Sequence, residues 1–185
     1  MMIFYLISGG CLWVLLSAIT INFVLARRSG IIKEQKSIVD TATMLLFAFL
    51  MLLIANKRIC APALGEDITF YLALSGTAII IAGTIVNISG RLVLKENWGN
   101  QIRIYSGHRL ITRGVYRYSR HPLYASIIAM LYGLALLYSN PLVFLLNTVI
   151  FIPFMIVRAK QEDRMLAETF GAEYSEYKKR TRMFL

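Results

Sequence analysis

The chain has 185 residues, 57% of them hydrophobic and 16% charged, with a formal net charge of +10. A soluble domain of this size buries a good core without long charge-free runs, so the composition excludes an ordinary soluble globule and indicates several membrane spans. The basic excess then follows from Lys and Arg collecting in cytoplasmic loops, and nucleic-acid binding becomes the weakest reading of it.

Ile3 to Ala26 is uncharged and exceeds the roughly 20 residues needed to cross hydrocarbon. No basic residue precedes it and Arg27-Arg28 follow it, the reverse of a secretory signal, so it reads as a retained first span. A short basic loop to Lys36 leads to a second apolar run, about 38–55, whose start is weakened by Asp40. Asn56 to Asp67 is a turn with Pro62 and Gly65, its basic and acidic residues in balance. The third span, 68–90, carries small residues in pairs seven apart: Ser75-Gly76, Ala82-Gly83 and Ser89-Gly90. That spacing lays one narrow strip along a helix face, where a second backbone can approach closely.

Residues 91–121 form a polar segment with seven basic residues and the single acid Glu96. Gly99, Gly107, Gly114 and four aromatics break any long helical period, so a folded interfacial loop with short helical pieces is expected. Pro122 to Val157 is uncharged, and one helix that long, at about 1.5 Å per residue, would overshoot a bilayer of roughly 30 Å. Ser139-Asn140-Pro141 divides it into two antiparallel spans, 122–138 and 141–157, with Pro153 expected to kink the second. The tail, 158–185, repeats Met165, Leu166, Phe170, Tyr174 and Tyr177 at helical spacing, with Gly171 interrupting, and reads as one or two amphipathic helices.

Five spans place the N-terminus outside and the C-terminus in the cytoplasm. The 27–36 loop, the polar segment and the tail then share one side and hold 18 of the 20 basic residues. The predicted fold class is all-α: a multi-pass membrane protein of five transmembrane helices, with a hairpin of helices 4 and 5.

Few residues offer chemistry outside the polar segment and the tail. Cys11 and Cys60 lack partners at metal-ligand spacing and are expected to pack. His108 and His121 are the only histidines, so no metal site is expected, and a basic patch for lipid headgroups is the plain alternative. No Ser-His-Asp arrangement and no phosphate-binding glycine loop occurs. Arg158 and Glu162, four apart, share a helix face with Asp163 next to them. Spacing alone leaves two readings open: an exposed ion pair with a snorkelling arginine, or a charge-selective site for an anionic group on a lipid-borne substrate.

Two blocks then form a pattern. His108-Arg109-Leu110-Ile111-x-x-Gly114-Val115-Tyr116 runs into Arg120-His121-Pro122-Leu123-Tyr124. The second block is Arg158-x-x-x-Glu162-Asp163-x-x-Leu166 followed by Phe170-Gly171-x-Glu173-Tyr174-x-x-Tyr177. Together they resemble the isoprenylcysteine carboxyl methyltransferase family over roughly residues 97–185. The resemblance implies an integral membrane enzyme that uses S-adenosyl-L-methionine without a dinucleotide-type domain. It divides the chain into three N-terminal transmembrane helices, 1–90, and a catalytic region, 91–185, whose cytoplasmic cofactor pocket is capped by the C-terminal helix. Carried over by motif, the cofactor contacts are Gln101, His108, Arg109, Leu110, Ile111, Tyr116, His121, Pro122, Leu123, Tyr124 and Glu162, and Arg158 holds the substrate carboxylate. Asp163 stands where the family commonly has a second Glu.

The chemistry suits these residues. A carboxylate is already ionised at pH 7, so its methylation needs no general base, and positioning and desolvation must supply most of the rate. Tyr116 or Tyr124 can face a sulfonium as a cation–π partner. The expected partners are a lipid-modified or amphipathic methyl acceptor and membrane lipids, with no nucleic acid and no obligate protein partner. The expected location is the cell membrane of a prokaryote or the endoplasmic reticulum membrane of a eukaryote. The alternatives are a phospholipid (phosphatidylethanolamine) N-methyltransferase, another small-acceptor membrane methyltransferase, and a non-enzymatic protein that binds anionic lipid.

Overall fold

The structure, a computed structural model, describes residues 1–25, 30–37, 39–95, 98–99, 101–107 and 109–184. It is mostly helical. Three helices are long and apolar enough to cross a membrane: α1 (Met2–Leu25), α3 (Glu66–Leu94) and the continuous 141–180 helix. Two shorter apolar helices, α2 (Thr41–Asn56) and α4 (Pro122–Leu137), stand beside them. The 141–180 helix consists of α5 (Pro141–Leu146), a π-helical turn (Asn147–Phe151) and α6 (Ile152–Arg180). These apolar helices fall where the hydrophobic runs predict them.

Local chemistry sets the boundaries. Asp40 does not weaken α2, as the sequence reading expects, but starts it. Its carboxylate accepts from Thr43 N at 3.0 Å while Thr43 Oγ1 accepts from Asp40 N at 2.8 Å, a reciprocal cap. Pro122 occupies the first turn of α4, where a missing N–H costs nothing. Asn140 ends the hairpin turn: its Oδ1 accepts from Val143 N at 3.1 Å, and Pro141 opens α5. The helix is irregular in the turn just before Pro153, a π-turn, and the one non-helical backbone inside α6 lies at Gly171 (φ 53°, ψ −118°).

The small-residue strip of α3 faces α4. A Cβ on Gly76 would lie 2.5 Å from Gly133 O, and one on Gly133 would lie 2.7 Å from Gly76 O. Glycine at both positions lets the backbones touch, as the spacing predicts. A second cluster joins α2, α4 and the π-turn, with Met51, Ala55, Val143, Phe151 and Met155 buried together.

The fold is not purely helical. β1 (Ile31–Gln35) pairs antiparallel with β2 (Ile102–Tyr105), with Glu34 opposite Arg103 and Gln35 opposite Ile102. β2 falls inside the segment expected to form a loop with helical pieces. The missed signal is its alternation: Ile102 and Ile104 turn inward onto Met165 of α6, while Arg103 turns out to Glu34. Of the cysteines, Cys11 packs against the cluster around Phe4 and Leu137, whereas Cys60 is exposed rather than packed.

Candidate active site

The polar segment and the tail fold together. The Tyr177 hydroxyl donates to the Tyr116 carbonyl at 2.6 Å. Beyond α6 the chain returns as a short strap: Arg120 N donates to Arg182 O at 2.9 Å and His121 N to Met183 O at 3.2 Å. The bend at Gly171 brings Tyr174 and Tyr177 onto the site. Its positive φ favours glycine, so the helix can turn there without side-chain strain.

The apolar part of the long helix ends at Val157, and the charged residues follow at once. Arg158 is only 3% exposed, which excludes the snorkelling reading. It does not reach Glu162 as a surface ion pair. Its Nε donates to the Tyr124 hydroxyl at 2.9 Å, and that hydroxyl donates to Glu162 Oε2 at 2.8 Å. Arg158 Nη1 also donates to the Val39 carbonyl, tying the site to the start of α2.

His121 sits between the two acids. Its Nε2 lies 2.7 Å from Asp163 Oδ1 and its Nδ1 3.4 Å from Glu162 Oε2. Its ring stacks on Tyr124 at 5.5 Å between centroids. Arg120 Nη2 reaches Asp163 Oδ2 at 3.3 Å, and the Tyr174 hydroxyl donates to Asp163 Oδ1. Burial alone would lower the His121 pKa, but its contacts with Asp163 and then Glu162 outweigh that and raise it to about 9. Burial would raise the Asp163 carboxyl, yet its hydrogen bond to His121 and further partners hold it at about 2. Glu162 is likewise held low against burial, mainly by His121.

One cavity, about 170 Å³, opens onto these groups. Gln101, Arg109, Leu110, Ile111, Tyr116, His121, Leu123, Tyr124, Arg158 and Glu162 all line it, so the structure brings ten of the sequence-derived site residues to one place. Pro122 is buried as the first residue of α4 and is absent from the wall. His108 lies outside the described residues. Gln101 also braces the corner before α2, accepting from Ser37 N at 2.8 Å.

Sequence reasoning missed Arg91, which lines the same cavity and is 7% exposed. Among the described residues its hydrogen-bond partners are two asparagines: Asn87 Oδ1 at 2.8 Å and Asn22 Oδ1 at 2.9 Å. The guanidinium lies over the Trp98 ring, 5.5 Å from its centroid. A cation held this way keeps its charge available to an anion entering the cavity. The available signal was Asn87 four residues ahead of Arg91 on an otherwise apolar helix, an expensive pair to bury without a use. The cavity wall also includes Leu12, Leu15 and Ile19 of α1 and Met44 and Leu45 of α2.

The model of the isoprenylcysteine carboxyl methyltransferase (ICMT) family matches residues 76–168, half of the chain and most of this site. The chain is 30% identical over 135 residues to a probable protein-S-isoprenylcysteine O-methyltransferase of Oryza sativa subsp. indica, covering 72% of this chain and 70% of that one. It is 40% identical over 73 residues to the protein-S-isoprenylcysteine O-methyltransferase of Saccharomyces cerevisiae, covering 40% of this chain and 30% of the relative. With the Homo sapiens protein of the same name it shares 27% over 112 residues, 60% of this chain and 39% of that one. The chain belongs to the isoprenylcysteine carboxyl methyltransferase family and is an integral membrane methyltransferase.

Proposed function

We propose that this member of the family is an S-adenosyl-L-methionine-dependent O-methyltransferase that esterifies the carboxylate of an isoprenylcysteine-type, lipid-borne acceptor. The observation that carries this reading is one cavity with two kinds of lining. Arg91, Arg158 and Glu162 supply charge to its wall, and aliphatic side chains of α1 and α2 supply an apolar surface. An acceptor with an ionised head and a long apolar tail matches that pairing.

The residues present fit the cofactor. Its sulfonium and ammonium groups call for a carboxylate and ring faces, which Glu162, Tyr116 and Tyr124 supply. Its own carboxylate calls for a cationic donor, and the buried Nε of Arg120, on the cavity wall, has no hydrogen-bond partner among the described residues. Gln101, His108 to Ile111, Tyr116, His121, Leu123, Tyr124 and Glu162 are the residues assigned to hold it. Bound there, S-adenosyl-L-methionine supplies an activated methyl group on a positively charged sulfur.

The chain's own residues do the rest. Arg158 and Arg91 orient the acceptor carboxylate, and neither removes a proton. Tyr124 keeps Arg158 and Glu162 in fixed relation, so the anion-binding and cation-binding groups stay a constant distance apart. The α1 and α2 side chains exclude water from the reacting carboxylate, which strengthens its attraction to both arginines. The topology assigned is five spans, N-terminus outside and C-terminus cytoplasmic, with 1–90 as support and 91–185 as the catalytic region.

Radiolabelled S-adenosyl-L-methionine offered with a farnesyl-cysteine analogue and with phosphatidylethanolamine tests the assignment. The expected product is a base-labile label that releases methanol. A base-stable label on lipid would replace the ester reading with N-methylation, and no label on either would remove both.

A further inference from the structure

Both ring nitrogens of His121 face carboxylate oxygens. Nε2 lies 2.7 Å from Asp163 Oδ1, and Nδ1 lies 3.4 Å from Glu162 Oε2. A carboxylate accepts and does not donate, so this geometry suits an imidazole with a proton on each nitrogen. A neutral ring would turn one lone pair toward an anion. Asp163 is the better fixed of the two acids. It is 5% exposed and is braced by Arg120 Nη2 at 3.3 Å and by the Tyr174 hydroxyl. Among the described residues Glu162 has two such partners, the Tyr124 hydroxyl and, as an ion pair at 3.4 Å, His121.

We propose that Asp163 is a positioning residue: it holds His121 doubly protonated with its second N–H aimed at Glu162, and so gives the Glu162 carboxylate one orientation at the cavity wall. This rests on the methyltransferase reading above, in which Glu162 meets the cationic cofactor. Asp163 itself does not line the cavity, so it acts through His121 rather than on a bound molecule. The groups facing His121 are Asp163 and Glu162 of α6, Tyr124 of α4 stacked on its ring, and Phe184 of the strap at 6.4 Å, edge-on. Arg120 and Tyr174 reach it only through Asp163. The raised His121 pKa of about 9 agrees with this arrangement.

The chemistry gives a direction. Above its pKa His121 loses the Nδ1 proton and keeps Nε2–H toward Asp163, so a lone pair then faces Glu162 and repels it. The cofactor-binding wall thus loses its geometry on the alkaline side. Asp163→Asn keeps the shape and a hydrogen-bond acceptor but removes the charge, and it should move this event down toward neutral pH.

The test reads the His121 ring directly. Full-length protein in detergent micelles, labelled with 15N-histidine, gives two imidazole titrations, and His121→Gln identifies the one that belongs to His121. The expected result is a charged ring through pH 8 in the wild type. In Asp163→Asn its midpoint should fall by about one unit or more, the size of a lost charged hydrogen-bond partner. The alkaline limb of the pH dependence of KM for S-adenosyl-L-methionine should fall with it, while Asp163→Glu restores both. A wild-type ring that titrates near 6.5, or an Asp163→Asn ring that moves without the KM limb, overturns the proposal. If Asp163→Asn fails to fold, Tyr174→Phe, which removes a donor that shares Asp163 Oδ1 with His121, should leave the ring charged through pH 8 with its midpoint unchanged or higher, and a fall toward 6.5 overturns it equally. A wild-type chain that titrates as described but transfers no methyl group shows that the failure lies in the methyltransferase reading rather than in the His121 geometry, and it removes the positioning role.

Discussion

Arg158 and Glu162 meet through the Tyr124 hydroxyl, which accepts from Arg158 Nε at 2.9 Å and donates to Glu162 Oε2 at 2.8 Å. One phenol, in the first turn of α4, thereby links two charged groups one turn apart on α6. Their separation is set by a residue of another helix, and so the relationship persists only while α4 and α6 keep their packing.

Tyr124→Phe should lower kcat/KM without loss of fold. Removing the hydroxyl leaves Arg158 Nε and Glu162 Oε2 each short of a partner, and a hydrogen bond to a charged group is worth about 1.5–3 kcal/mol. That corresponds to roughly a 10- to 150-fold loss, read from methyl-transfer kinetics with a farnesyl-cysteine analogue. Unchanged kinetics would mean that the phenol is a spectator.

Arg91→Gln should raise KM for the carboxylate acceptor more than it raises KM for S-adenosyl-L-methionine. Glutamine keeps a donor near Asn87 and Asn22 but removes the charge. An effect of about tenfold or more is expected for a desolvated arginine–carboxylate contact. Equal effects on both substrates would identify Arg91 as a structural residue of α3.

Gly133→Ala tests the contact between α3 and α4. The added methyl would sit 2.7 Å from Gly76 O and 2.8 Å from Ile80 Cγ1, and backbone cannot yield cheaply. Overpacking of this kind costs about 1–3 kcal/mol. The thermal midpoint in detergent should fall by several degrees, whereas Gly9→Ala, where a Cβ meets nothing within 4 Å, should leave it in place.

The His121–Asp163 pair also makes stability depend on pH. The His121 pKa rises from 6.5 unfolded to about 9 folded, so its contribution is complete below 6.5 and is lost as pH climbs through 9. Asp163 falls from 3.8 to about 2, so its contribution is complete above 3.8 and is lost as pH drops through 2. Thermal unfolding in detergent should therefore be highest between these limits and decline steadily from pH 6.5 to 9. His121→Gln should flatten that decline; an equal decline in the variant would assign it to other groups.

What could be read along the chain was whatever local composition decides. The apolar runs became helices because a helix satisfies its own backbone in hydrocarbon. Ser139-Asn140-Pro141 became the hairpin turn through the Asn140 cap, and the glycines at positions 76 and 83 faced α4 because a spacing of seven returns to one helix face. The motif residues met in one cavity because the hairpin returns Arg158 and Glu162 to the level of His121 and Tyr124. Asp40 was misread because a charge near an apolar run looks like a defect until its cap on Thr43 is seen.

The rest belongs to partners far apart in sequence. Asp163 gains its meaning from His121, 42 residues earlier, and Arg91 reaches Asn22 across 69. β2 exists because β1, separated from it by the two apolar helices α2 and α3, offers its edge. The amino-acid order by itself determined a helical membrane methyltransferase with its charges gathered in two blocks, since hydrophobic length and motif spacing are local quantities. Only the tertiary structure decided which charges are buried, which of them face the cavity and which merely brace the others, because burial and hydrogen-bond geometry depend on neighbours the chain brings together only by folding.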